Sequence, residues 1–398
     1  MSTPRSRADH LLPFLQLHLA KDIGSILAAR LLRHFGSPQA VLSATPEALE
    51  RVRQVGPLKA VAIREAADPA VANEQLALAD SAGVRIVSIG DTDYPLPLRY
   101  IPDPPICLYV RGSWEPEDAV ALAIVGTRRC SHYGREQARR FGQALGGAGF
   151  TVVSGLARGV DGVAHQGALQ AGGRTMAVLG GGVDSVYPQE HSDLADRIAD
   201  GGGALLSEYP LNVPPVAGNF PRRNRIIAGL SLGVLVIEAG RRSGACITAR
   251  LAQEYNREVF AVPGRIDQPT LTAGVNRMIR DGHAKLVTGL EDVLEELEEV
   301  GAIMLDAGAP SGADAVSHST RDVRCARSLA PPEKAVFQAV RDGGAKLEEI
   351  LRLSRQSIAS VNACLVSLQL KGLIDSFPGN EYRVRRSAGR SDELVDES

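Results

Sequence analysis

From Ala121 to Gly182 the chain reads ALAIVGTRRCSHYGREQARRFGQALGGAGFTVVSGLARGVDGVAHQGALQAGGRTMAVLGGG. Three apolar runs within it, ALAIVGT at Ala121, FTVVSG at Phe150 and RTMAVLG at Arg174, are short, aliphatic and closed by glycine. Runs of this kind are strands buried on both faces of a parallel sheet. Between them, Gly134 to Leu145 and Gly162 to Gln170 keep helical spacing. The pattern continues outward with VRIVSIG at Val84, GALLSEY at Gly203, LGVLVIEAG at Leu232, EVFAVPG at Glu258 and AKLVTG at Ala284, and with helical stretches at Glu190 to Ile198 and Ile247 to Tyr255. Strand and helix in alternation specify an α/β fold, a Rossmann-like doubly wound, mostly parallel sheet, here over residues 81–303.

The flanks read differently. Residues 1–80 form short helices: Ile23, Ile26, Leu27, Leu31 and Leu32 keep helical spacing until Gly36-Ser37-Pro38, then come Pro46 to Val55 and Leu58 to Ala67 across Gly56-Pro57. This is either a helix-hairpin-helix or SAM-like module that holds nucleic acid or protein, or a helical cap on the sheet. Residues 304–329, rich in Ala, Gly, Ser and Asp, read as a flexible linker. In 330–386, helices at Pro331 to Asp342, Leu347 to Leu353 and Ser357 to Leu370 precede a hairpin around Pro378-Gly379, the order of a winged helix. Its candidate recognition helix carries Asn362 and Gln369, with Gln356 before it, but reaches no cation until Lys371, so DNA and protein contact stay open. The hairpin ends in Arg383, Arg385 and Arg386, and residues 387–398 read as a disordered tail.

Composition bounds the function classes. With 398 residues, 44% hydrophobic, 23% charged and a net charge of −2, the chain is neither disordered nor collagenous. No stretch approaches the ~18 apolar residues of a membrane span. The opening MSTPRSRADHLLPFLQ has no apolar block ending in small residues, so a cytoplasmic protein without membrane association is expected. The 5 cysteines are widely spaced, without a Cys-x-x-Cys pair, which argues against a disulfide framework or structural zinc. Ala121 to Thr288 holds 19 Arg and Lys against 13 Asp and Glu, a surplus of +6 that the remainder reverses. That basic middle reflects either a polyanionic partner or an arginine-rich genome.

In an open parallel sheet, ligands bind beyond the carboxyl ends of the strands, where the glycine-rich turns of this chain accumulate. Val125-Gly126-Thr127-Arg128-Arg129 is the first turn, with Gly126 allowing close approach and Arg128 supplying a bidentate phosphate fork. In SGLARGVDGVAH, Ser154, Gly155 and Gly159 would offer a hydroxyl and exposed amides before a helix, and Asp161 would cap it. The glycine spacing departs from G-x-G-x-x-G, so no dinucleotide cofactor is expected, and none of another kind is indicated. His165 reads as a packing residue rather than a catalyst. Leu179-Gly180-Gly181-Gly182-Val183-Asp184, followed by Tyr187-Pro188 and His191, leaves a strand end bare for a ligand or for the chain itself.

The fourth turn, Asn219-Phe220-Pro221-Arg222-Arg223-Asn224-Arg225, follows a proline-containing loop and opens the helix Ile226 to Ser231. An aromatic beside arginines and an asparagine is the combination that stacks on an unpaired base while neutralising phosphates. The fifth, from Glu238 through Ser243 and Gly244 to Thr248, repeats serine and glycine at a helix start, with Glu238 as a structural partner. Local spacing assembles no nucleophile with its base, no Walker lysine and no metal cluster, so the chain reads as non-enzymatic.

Taken together, Tyr94-Pro95, Pro105, Leu108-Tyr109, Val125-Gly126-Thr127-Arg128, Tyr133-Gly134, SGLARGVDGVAH, LGGGVDSVYP, LLSEYP, NFPRRNRIIAGLS, EAGRRSGACITA and VFAVPG with Gly274-Val275-Asn276 resemble, in order, the DNA-processing protein A (DprA or Smf) family. The resemblance is close from Val84 to Val287 and weaker in the flanks. It implies a non-catalytic, homodimeric protein that binds single-stranded DNA and loads a RecA-type recombinase onto it in natural transformation. Carried over by motif, Arg128 would grip phosphate, Gly155 and its neighbours would give amides, and Phe220 with Arg223, Asn224 and Arg225 would clamp the strand. Gly244-Ala245-Cys246-Ile247 and His283 depart from the family pattern, though neither removes a phosphate contact.

Two other readings compete. A nucleoside monophosphate phosphoribohydrolase shares the glycine-rich core but carries Pro-Gly-Gly-x-Gly-Thr-x-x-Glu, which Glu238 to Thr248 lacks. A winged-helix, ligand-sensing regulator would bind duplex through residues after Pro331.

Overall fold

A computed structural model describes residues 4–297 and, beyond them, 329, 331–341, 346–356, 361, 364–365, 368, 373–377 and 381–384. The linker at 304–329 apart from Leu329, most of the expected recognition helix including Asn362 and Gln369, Lys371, Arg385, Arg386 and the tail at 387–398 lie outside the described residues. The chain divides into two compact units, one of Met1–Gly146 with Phe150–Leu297, the other within Glu298–Ser398.

In the first unit, a nine-stranded sheet has the order β1-β2-β6-β5-β4-β3-β7-β8-β9. The strands are β1 Arg85–Ser88, β2 Cys107–Gly112, β3 Ala121–Val125, β4 Thr151–Ser154, β5 Thr175–Val178, β6 Ala204–Ser207, β7 Gly233–Val236, β8 Glu258–Ala261 and β9 Lys285–Leu286. From β6 across to β9 every pairing is parallel, whereas β2 runs antiparallel to both β1 and β6. Eight of the nine strands lie in the apolar runs singled out in the sequence. The added strand, β2, follows β1 through the short helix Leu96–Arg99 and so has no full crossover helix to announce it.

Alternate residues supply opposite faces of the sheet, as the pleat requires. Leu205, Ala177 and Tyr109 join a core that is continuous with Leu15, Leu31, Leu49 and Ile63 of the N-terminal helices. Leu206, Met176 and Val110 join the opposite core, beneath the helices Asn219–Leu230 and Gly244–Glu254. The N-terminal helices thus join this core at the β1–β2 end of the sheet, with Pro4–Leu19 and Ala70–Ser81 packed against those strands. Among the described residues, no helix is long and apolar enough to cross a membrane.

Chain direction matters most at β3. Successive units run β3, β4, β5, β6 to one side, and the chain then returns to place β7, β8 and β9 on the other. The strand order therefore reverses between β3 and β7, and such a reversal opens a crevice at the carboxyl ends of the two strands.

In the second unit, the helices Pro331–Arg341 and Leu347–Ser354 and the antiparallel hairpin of Ile374–Phe377 with Glu381–Val384 surround Val336, Ile350, Val361, Leu365 and Leu368. Gln356 donates to the Pro332 carbonyl at 2.9 Å, an internal contact, and Arg383 is exposed.

Candidate nucleic-acid interface

The crevice between β3 and β7 is a cavity of about 910 Å³. Gly126, Arg128, Asp161, Phe220, Arg223, Asn224, Ser243, Gly244 and Thr248 all line it, so nine residues chosen from the sequence converge on one place. Arg129, Tyr187, Arg241 and Arg242 also line it. Of these, Arg128, Arg129, Arg241 and Arg242 are exposed, giving the mouth a strongly cationic rim.

The helix Asn219–Leu230 forms one wall. It begins at Asn219, earlier than the sequence reading placed it, and Pro221 fits in the first turn because an N–H there has no intrahelical acceptor anyway. The arginine run is therefore helical, and residues three and four apart share a face. Phe220, Arg223, Asn224 and Ile227 face the crevice. Arg222 and Arg225 face a separate cavity, beside His18, Asp22 and Lys59. Arg225 is buried and ion-paired with Glu208 and with Asp103, so it lies apart from Phe220 and Arg223 and its charge is used within the fold.

Arg223 behaves oppositely. It is 3% exposed, Nη2 donates to the Gly155 carbonyl at 3.1 Å, and Nε and Nη1 have no partner. Burial lowers its pKa to about 10, with Asp161 opposing the shift, so it stays charged at neutral pH. A buried guanidinium with unmet donors on a cavity wall is a costly arrangement that an anionic ligand would relieve. A Cβ at Gly155 would overlap the guanidinium, so a side chain there would displace Arg223 from this position.

The loop from Ser154 to Val160 departs from its expected role. Asp161 accepts from the amides of Gly155 at 3.2 Å and Ala157 at 3.4 Å, so it holds the loop rather than capping the helix Val160–Gln170. The Gly155 amide is thereby committed, and the buried Ser154 hydroxyl donates to the Ile124 carbonyl at 2.6 Å. Neither donor faces the crevice. Gly159 has φ +76° and lies so close to Thr127 and Arg128 that only glycine fits.

Most of the remaining polar groups bond within the fold, although the buried His165 Nε2 has no partner. Glu238 is buried and receives the amide of Ser131 at 2.9 Å and its hydroxyl, which tethers the start of the helix His132–Gly147. His165 is fully buried, its Nδ1 lies 2.6 Å from Thr175 Oγ1, and burial lowers its pKa to about 3. Ser243 caps the helix Gly244–Glu254 by accepting from Ala245 N, and Asn224 donates to the Gly244 carbonyl at 3.3 Å. Thr248, on the cavity floor, returns its hydroxyl to the same carbonyl at 3.4 Å. Among the described residues, no cluster of three or more His, Cys, Asp or Glu is placed to hold a metal.

Stacking surfaces complete the site. Phe220 lies under the Arg128 guanidinium, 5.2 Å from carbon to ring centroid, and 5.7 Å from the Tyr187 ring. Sequence reading left Tyr187 unassigned; an aromatic five residues beyond the bare Gly180-Gly181-Gly182 strand end was the available signal.

Residues 85–298 match the model of the DNA recombination-mediator protein A family, and 322–380 match the DprA winged helix domain. Protein Smf of Escherichia coli is 42% identical over 294 residues, 74% of this chain and 76% of that one. Protein Smf of Synechocystis is 36% identical over 392 residues, 92% and 96% of the respective chains. The crystal structure of DNA processing protein A from Streptococcus pneumoniae superposes with a TM-score of 0.61 at 34% identity, covering 71% of this chain and 95% of its own.

Proposed function

We propose, for a chain that belongs to the DNA recombination-mediator protein A family, that the crevice between β3 and β7 binds single-stranded DNA with little sequence preference. One observation carries the reading: the buried, half-satisfied Arg223 stands beside an accessible aromatic, Phe220, under a cationic rim. Phosphate answers the guanidiniums and an unpaired base answers the ring. Asp161, the carboxylate on the crevice wall, is held by the amides of Gly155 and Ala157, which supports a binding rather than a catalytic role.

Exchange energetics favour occupation. Arg128 over Phe220 contributes ~0.5–1 kcal/mol as an exposed cation–π contact. A base stacked on the same ring contributes ~1–3 kcal/mol, and Arg128 is then released toward phosphate. The wider role in this proposal is that of a cytoplasmic homodimer that protects incoming strands during natural transformation and delivers them to a RecA-type recombinase. Family membership supports that role.

The test is fluorescence anisotropy of the full chain with single-stranded and duplex oligonucleotides over a salt series. Single strands are expected to bind more tightly. Arg128→Ala should reduce the magnitude of the log–log salt slope by about 0.7. Phe220→Ala should cost ~1–3 kcal/mol and leave that slope unchanged. Binding that prefers duplex, or that ignores both substitutions, would overturn the reading and direct attention to nucleotide hydrolysis.

A further inference from the structure

We infer that Tyr187 provides a second nucleobase subsite, so that the crevice holds two successive unpaired bases, one on Phe220 and the next on Tyr187; this rests on the single-strand reading above. Tyr187 is 42% exposed and lines the same crevice. Its ring centre lies 5.7 Å from that of Phe220, with the planes inclined by 55°. Both rings lie beneath arginines, Arg128 at 5.2 Å and Arg158 at 5.9 Å from the respective centroids.

The two arginines differ in their remaining contacts. Arg158 donates through Nε and Nη2 to both carboxylate oxygens of Glu190, each at 2.7 Å, so its charge is neutralised in a bidentate pair. Arg128 instead acts electrostatically on Arg223, and both cations face the crevice. Phe220 therefore sits among free positive charge, whereas Tyr187 sits against a neutral ion pair. Phosphate is drawn to the first position, and the second accepts a base through its aromatic face alone.

The spacing adds selectivity. Bases in a stacked strand rise about 3.4 Å per nucleotide, less than the separation of these rings. Two bases seated on inclined rings must be unstacked from each other and splayed, which a paired duplex does not allow without opening.

The experiment uses the full chain and single strands of about eight nucleotides, within the range one binding module covers, with an abasic site moved along the strand. Tyr187→Ala should weaken the intact strand about tenfold without changing the salt slope, while Tyr187→Phe binds as the parent does. An abasic site at one position should remove the Tyr187→Ala penalty, next to the position at which it removes that of Phe220→Ala. A Tyr187→Ala protein that binds normally, or a penalty that persists at every abasic position, would overturn the subsite. The Phe220→Ala series reads the parent proposal separately: if it couples to an abasic position and Tyr187→Ala does not, only the second subsite fails.

Discussion

The two faces of the helix Asn219–Leu230 carry the same residue type to opposite ends. Arg223 on the crevice face is buried with Nε and Nη1 unmatched and no ion pair, whereas Arg225, two positions on, is ion-paired with Glu208 and Asp103 and leaves only Nη1 unmatched. One face leaves a buried cation with unmatched donors on the crevice wall, which the proposal assigns to a ligand, and the other consumes a cation in holding the fold. A run of arginines in a sequence is thus not a unit of function; the 100° turn per residue sorts it.

Exchanging roles across the helix is the way to break this comparison. Arg225→Ala leaves two mostly buried carboxylates without their cation, and should destabilise the protein by ~3–5 kcal/mol in chemical denaturation. The affinity of the folded fraction for single strands should stay within about twofold, since no crevice contact is lost. A binding loss that exceeds this would show that the two faces act together.

A second effect, away from both faces of this helix, depends on pH. His165 titrates near 3 when folded, chiefly through burial and to a lesser degree through the nearby His191 and Arg223, against 6.5 for the ordinary group. Between these values the unfolded chain binds a proton that the folded chain refuses, so stability falls as pH falls from about 6.5 toward 3. By pH 5 the loss relative to pH 7.5 should be about 2 kcal/mol. His165→Gln should flatten the dependence by that amount in denaturation midpoints collected across the range. An unchanged profile would mean that His165 is not the group responsible.

The smallest effect sharpens the contrast from the other side. Arg222 is exposed on the face away from the crevice, so Arg222→Ala should change stability by less than ~0.5 kcal/mol. The salt dependence of strand binding should match that of the parent. A slope reduced as in Arg128→Ala would place the phosphate path over both faces.

How much of this was legible in the sequence follows from what each signal encodes. Short aliphatic runs closed by glycine mark parallel strands because both faces are buried and the chain must turn toward a helix, and those strands were found. β2 escaped because it joins β1 through the four-residue helix Leu96–Arg99 and pairs antiparallel, leaving no strand–helix alternation to detect. The crevice residues were recognisable because the reversal between β3 and β7 gathers strand-end turns that lie far apart in the chain. The division of Arg222 and Arg225 from Arg223 was not, because it depends on the helix starting at Asn219. The commitment of the Gly155 amide to Asp161 was also hidden, since glycine-rich loops read alike whether their donors face a ligand or a neighbouring carboxylate.

The continuous core beneath the N-terminal helices bears on how such a protein can be inherited in parts. Leu15, Leu31 and Leu49 belong with Tyr109 and Leu205 of the sheet to one apolar mass, so the helices and the sheet edge they pack on must vary in step. A gene fusion cut near residue 80 would bring in helices shaped for a different sheet and strand a greasy face in water. Residues 4–297 are accordingly the cassette that recombination can transplant whole, while the C-terminal unit travels with a core of its own.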